Sequence, residues 1–221
     1  PGGFSEYLLW RCEQRGVQAR GTATTLRGVE CDMALKRFCV PTEGRLSVHY
    51  GQDGTGDLTR PENVRAVVRE AAAPTLVVAD GGVCVDGDEN AQESLNLSLL
   101  TAQCDTALQA LAPGGAFVVK TFDTFEDGTL QQVRRLVRAF GRVEVFKPVT
   151  SRPANSERYL VCTDFGARAE DEAADFSQSV DEANRQVFEL QTQHLRRMRD
   201  FSDNKATETW TREEQRSVAD A

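Results

Sequence analysis

Three charged residues sit where apolar segments begin or end. Asp80 closes the run Thr75-Leu76-Val77-Val78-Ala79, and Lys120 closes Ala116-Phe117-Val118-Val119. Glu157 opens the last apolar segment, 157–163. Lysine is scarce here, with four against 22 arginines, so a lysine ending an apolar strand draws attention. A desolvated or positively crowded lysine can release its proton, whereas arginine cannot. An amine between two carboxylates is therefore either a structural ion pair or a proton-transfer group. A second candidate is the Gly2-Gly3 turn before a helical pattern. Bare backbone at a helix N-terminus admits close approach of a ligand. Asp57, in Gly56-Asp57-Leu58, can accept a hydrogen bond from a ribose or adenine, or can simply serve a turn.

These residues need a scaffold that gathers them. Apolar spacing predicts a helix over 4–15, with Phe4, Tyr7, Leu8 and Cys12 on one stripe, and strands over 17–25 and 45–50. Pro61 opens a helix over 61–72, with Val64, Val67 and Val68 inward. Strand 75–80, a loop over 81–89, helix 90–111, strand 116–120, helix 129–140 and strands 142–147 and 157–163 follow. Strands alternating with helices across short Gly/Pro turns imply an α/β fold with a parallel sheet. Ligands bind outside the carboxyl ends of such strands. The link between the last two strands is too short for a parallel crossover, so they are antiparallel. The final strand then starts at the edge where the parallel strands end, which draws Asp80, Lys120 and Glu157 together.

The chain has 221 residues, 40% hydrophobic and 27% charged, enough for one sizeable domain with an appendage. Its net charge of −8 argues against extensive phosphate binding, although a basic strip at 130–160 (Arg134, Arg135, Arg138, Arg142, Lys147, Arg152, Arg158) can guide a short strand. Arg152 and Arg158 lie nearest the rim. Six cysteines without a Cys-x-x-Cys pair, and only two histidines, disfavour a structural zinc site. No metal is expected, and no apolar run approaches the ~20 residues of a membrane span. After Gly166 a narrow seam (Phe176, Val180, Ala183, Val187, Leu190, His194, Met198) marks an amphipathic helix that packs on the domain or on a protein partner. Ser179 and Glu182 have capping-box spacing. The organisation expected is a domain over 1–165, a helical extension over 166–201 and a polar, loose tail over 202–221.

Five ordered stretches carry a resemblance: PGGFSEYLLWR (1–11), GTGDLTRPENV (54–64), VVADGGVCVDGDENAQE (77–93), PGGAFVVKTFDTF (113–125) and FKPVTSRPANSERYLVC (146–162). Together they resemble the FtsJ-like family of 2′-O-ribose methyltransferases, and within it the eukaryotic members that modify the mRNA cap. The resemblance implies a Rossmann-like, S-adenosylmethionine-dependent methyltransferase sheet and a Lys-Asp-Lys-Glu tetrad, whose last three positions match Asp80, Lys120 and Glu157. It places the tetrad's first lysine and the sheet's first, central strand upstream of Pro1, so this chain is read as a fragment, inactive and poorly stable by itself. Cofactor contacts are implied for Pro1, Gly2, Gly3, Phe4, Ser5, Asp57 and Leu58. Substrate contacts are implied for Asn90, Ala91, Gln92 and Asn155, with Ala91 standing where a leucine is usual.

The chemistry implied is removal of a ribose hydroxyl proton by a lysine, with attack of the oxygen on a sulfonium methyl. The expected function is methyl transfer to the 2′-O of the first transcribed nucleotide of capped mRNA, in the nucleus. Alternatives are a ribosomal or transfer RNA 2′-O-methyltransferase, and a non-catalytic RNA-binding relative. The SRPANSERY string favours the cap reading over the first, and the joint presence of Asp80, Lys120 and Glu157 favours an enzyme over the second.

Overall fold

The computed structural model describes residues 2–28, 32–83, 91–152, 154–167 and 176–205. Among these residues six strands and five α-helices follow one another: α1 (Gly3–Gln14), β1 (Gly21–Ala23), β2 (Leu46–Val48), α2 (Pro61–Ala71), β3 (Leu76–Ala79), α3 (Gln92–Ala110), β4 (Ala116–Thr121), α4 (Asp127–Ala139), β5 (Phe140–Phe146), β6 (Arg158–Phe165) and α5 (Phe176–Lys205). The strands form two sheets. β1 and β2 pair in parallel over three residues each, which is why both are shorter than their apolar runs suggest. The larger sheet has the order β3-β4-β6-β5.

The α/β alternation behaves as expected. β3 and β4 are parallel, in register Ala79↔Val119, and α3 supplies the crossover. β6 returns between β4 and β5, antiparallel to both. Asp80 therefore leaves β3 beside Lys120, and β6 enters at the same rim, with Lys120 paired to Tyr159.

One face of this sheet is a closed core. Phe117 and Val119 of β4, Leu160 and Cys162 of β6 and Phe140 of β5 pack against Leu100, Cys104 and Ala107 of α3 and Val133 and Leu136 of α4. Burial pushes the Cys104 and Cys162 thiols up to about 12, so both are inert core residues.

Several boundaries differ from the sequence reading for non-local reasons. α4 begins at Asp127, two residues early, because the Glu93 carboxylate accepts the backbone N–H groups of Phe125 and Glu126. β5 starts at Phe140, directly after α4, because Phe140 pairs with Phe165 at the far end of β6. On α1 the buried residue is Leu9, while Phe4 and Tyr7 are 38% and 56% exposed.

α5 has 30 residues and is about 45 Å long. It already runs from Phe176, so Ser179 and Glu182 form no cap; the Glu182 carboxylate pairs with Arg185 instead. Asn184 and Val187 are buried, whereas Leu190 and Met198 of the expected seam are half exposed. The helix continues four residues past the expected boundary at 201. Among the described residues, no helix is long and apolar enough to cross a membrane.

Leu136 is fully buried at the α4–sheet contact. Leu136→Ala is expected to lower unfolding free energy by about 3 kcal/mol, read as a fall in the urea midpoint with an unchanged slope.

Candidate active site

Lys120 reaches the rim from β4 with only 14% of its side chain exposed, and its Nζ lies 3.3 Å from Asp80 Oδ1. That same oxygen accepts a hydrogen bond from the Tyr159 hydroxyl at 2.7 Å. Burial and then the Asp80 hydrogen bond hold the Tyr159 phenol above its ordinary pKa, so it stays a donor. The Gly81-Gly82 turn lies over the amine: a Cβ on Gly82 would meet Lys120 Nζ at 3.3 Å, and one on Gly81 would strike Gln103 at 2.3 Å. Asn96 of α3 steadies the turn by accepting the Val83 N–H at 2.7 Å.

Glu157 directly precedes β6, two residues before Tyr159. Its carboxylate accepts from the Ser151 hydroxyl at 2.8 Å, and no ion pair joins it to Lys120 among the described residues. The segment that carries it is clasped by Lys147, whose ammonium donates to the carbonyls of Asn155 and Glu157, each at 2.6 Å. Burial lowers the Lys147 pKa, and the nearby Glu157 charge opposes that shift. Asn155 is occupied too, its Oδ1 accepting the Glu157 N–H at 2.8 Å.

The glycine turn meets this rim through Phe4, whose ring centroid lies 5.7 Å from that of Tyr159. Gly2 adopts φ +105°, and a Cβ there would approach the Phe38 ring to 2.5 Å, while space beside Gly3 is open. The turn is thus bare backbone at an N-terminus without a side-chain cap. The loop after β2 is built around fully buried Asn63, which holds Asp53 and the Asp57 carbonyl. Thr55 and further hydrogen bonds hold the Asp53 carboxyl well below the usual range. Asp57 Oδ1 accepts the backbone N–H and the hydroxyl of Thr59, at 2.9 and 2.6 Å.

A family model described as FtsJ-like methyltransferase matches residues 1–165, three quarters of the chain and every element just described except α5. The chain belongs to the FtsJ-like methyltransferase family. It is 46% identical over 171 residues to cap-specific mRNA (nucleoside-2′-O-)-methyltransferase 1 of Danio rerio, 44% to that of Homo sapiens, both over 73% of this chain, and 38% over 167 residues to that of Drosophila melanogaster. The chain spans about a fifth of the length of these curated relatives.

Placed on this FtsJ-like frame, the sequence-derived residues sort into groups. Asp80 and Lys120 touch, Tyr159 bonds the same Asp80 oxygen, and Glu157 precedes Tyr159 by two residues with its carboxylate on Ser151. Gly2, Gly3, Phe4 and Ser5 form the uncapped start of α1. Asp57 and Leu58 lie in the loop between β2 and α2, while Ala91 and Gln92 open α3. Pro1 and Asn90 fall outside the described residues.

Arg158 departs from its expected role. Its side chain is 2% exposed, and its guanidinium donates to Asp123 at 2.9 Å and to Asn184 of α5 at 2.8 Å. Burial lowers its pKa, and Asp123 and Glu93 oppose the shift. An arginine enclosed in this way is a structural tie with no free face to offer RNA, whereas Arg152 is exposed.

Tyr159, Asn96, Glu93, Lys147 and Asn184 were not singled out from sequence as site residues. Strand register offered one signal, since the residue facing Lys120 across an antiparallel pair is a natural neighbour of whatever Lys120 binds.

Lys147→Met removes the clasp of the Glu157 segment. The expected cost is about 2 kcal/mol of stability, with faster amide hydrogen exchange at Asn155 and Glu157.

Proposed function

We propose that this chain is the catalytic core of an enzyme that transfers a methyl group from S-adenosylmethionine to the ribose 2′-oxygen of the first transcribed nucleotide of capped mRNA. The observation that carries the reading is the nearly buried Lys120 amine against Asp80 at the rim where the glycine turn arrives. The names of the relatives supply the cap and the 2′-oxygen.

The residues present suit the cofactor. The N–H groups of Gly2, Gly3, Phe4 and Ser5 lie at a helix start that no side chain caps, with open space beside Gly3, suited to a carboxylate. Asp57 and Leu58, anchored by Asn63, would meet the nucleoside end. S-adenosylmethionine supplies an electrophilic methyl group on a positively charged sulfur.

Lys120 would take the proton of the ribose 2′-hydroxyl as that oxygen bonds the methyl carbon and the carbon–sulfur bond breaks. The proton would end on Lys120 Nζ, and the electrons of the carbon–sulfur bond would stay with the donor. Asp80, held by Tyr159, orients the amine and stabilises its protonated form. Glu157, two residues before Tyr159, would add negative charge at the start of β6. Ala91, Gln92, Asn155 and Arg152 line the approach of the RNA, and Asn90 belongs to the same group. The nucleus is the compartment that fits capped-mRNA modification.

The test uses the protein at its full natural length, with capped, uncapped and structured RNA and labelled methyl donor. Transfer to capped RNA is expected, and Lys120→Ala is expected to lower it at least ~1,000-fold. Equal transfer to uncapped RNA refutes the cap assignment, and retained activity in Lys120→Ala refutes the lysine's role. Tyr159→Phe keeps the ring against Phe4 but frees Asp80, and kcat is expected to fall about tenfold with an unchanged KM for the methyl donor.

A further inference from the structure

α5 lies outside the family match, yet it reaches the rim. Asn184 is buried, and its Oδ1 accepts two hydrogen bonds: from Arg158 Nη1 at 2.8 Å and from the Thr124 hydroxyl at 2.7 Å. Its Nδ2 donates to the Thr124 carbonyl at 3.3 Å. Arg158 directly follows Glu157, and Thr124 lies four residues after Lys120. One side chain of the extension therefore holds both segments that bear the candidate catalytic residues.

The loop between β4 and α4 has few alternatives for its order. Among the described residues its other side-chain ties are the Glu93 carboxylate on the Phe125 and Glu126 N–H groups, and Asp123 on Arg158. Asn184 bridges these, because Arg158 contacts Asp123 and Asn184 together. An amide suits the place: one oxygen serves two donors while the nitrogen serves a carbonyl, which no apolar side chain of similar size can do. Without it, Arg158 and Thr124 keep buried donors without partners.

We propose that Asn184 is a positioning residue of the active site, setting the distance between the Lys120 and Glu157 segments through Thr124 and Arg158. The inference rests on the methyltransferase reading for its catalytic consequence, but the mechanical tie is measurable without activity.

The experiment compares Asn184→Leu with Asn184→Asp in the full-length protein. Asp keeps the acceptor for Arg158 and Thr124, whereas Leu keeps only volume. Amide hydrogen exchange over residues 122–126 is expected to quicken about tenfold in Asn184→Leu and to stay within about threefold in Asn184→Asp. Over the same pair, kcat is expected to fall about tenfold and then recover at least to half, with the KM for the methyl donor unchanged. Unaltered exchange in Asn184→Leu overturns the tie. Quickened exchange with unaltered kcat overturns the positioning role and leaves the methyltransferase reading intact. Equal damage from Asp and Leu also overturns it, since the acceptor would then be irrelevant. If Asn184→Leu does not fold, Thr124→Val replaces it and must show the same pair of changes for the proposal to stand. Retained transfer in Lys120→Ala defeats the functional reading instead, and the exchange data still decide the tie.

Discussion

The rim depends on holding a lysine amine against a carboxylate in a sheet with little water around it. Lys120 is 14% exposed, and its partner Asp80 is 47% exposed. A charge taken out of water costs several kcal/mol unless it is paired and hydrogen-bonded. Here the pair is lopsided, with the amine inside and the carboxylate half in solvent. Asp80 is held from the protein side by the Tyr159 hydroxyl, so it cannot swing out and abandon the amine without breaking that bond. The two glycines after Asp80 leave room for the amine under their backbone, and Asn96 fixes that backbone from α3. Tyr159 is the centre of the arrangement, touching Asp80 with its oxygen and the helix start at Phe4 with its ring.

Around this pair the loops are held by side chains that bind backbone. Lys147 gathers the carbonyls before β6, Glu93 gathers the N–H groups before α4, and Asn63 gathers the turn after β2. Loop backbone has no ladder to satisfy it, so its polar groups need water or such clasps. Clasps remove freedom from the segments that carry Glu157 and Asp57, which is what a site acting through fixed distances requires.

How much of this was legible depended on whether the cause was local. Asp80 and Lys120 could be read because each ends an apolar run, and topology alone then makes them neighbours. The antiparallel return of β6 followed from the short link after β5. The clasps did not follow, because Glu93, Lys147 and Asn184 act on partners that only tertiary folding brings close. Arg158 misled for the same reason. A basic strip reads as a guide for a short RNA strand, and nothing near Arg158 in sequence announces that a helix starting at Phe176 covers it. The seam on that helix was a correct sign of packing, but its buried contact is short and includes a polar residue, Asn184, which an apolar pattern passes over.

A division at residue 165 thus marks the end of family similarity without marking a physical boundary. A buried arginine next to a carboxylate that is 30% exposed gains little from that pair alone. What makes its burial tolerable is the remainder of its donors: Nε to the Ser156 carbonyl and Nη1 to Asn184. Remove α5, and the guanidinium beside Glu157 loses one of its three protein acceptors, while the Thr124 hydroxyl loses its own. Water can replace them only by entering the space between β4 and β6 ends, at the point where the Lys120 and Glu157 segments must keep their spacing. The extension therefore belongs to the structural definition of the rim, even though its sequence lies beyond what the family shares.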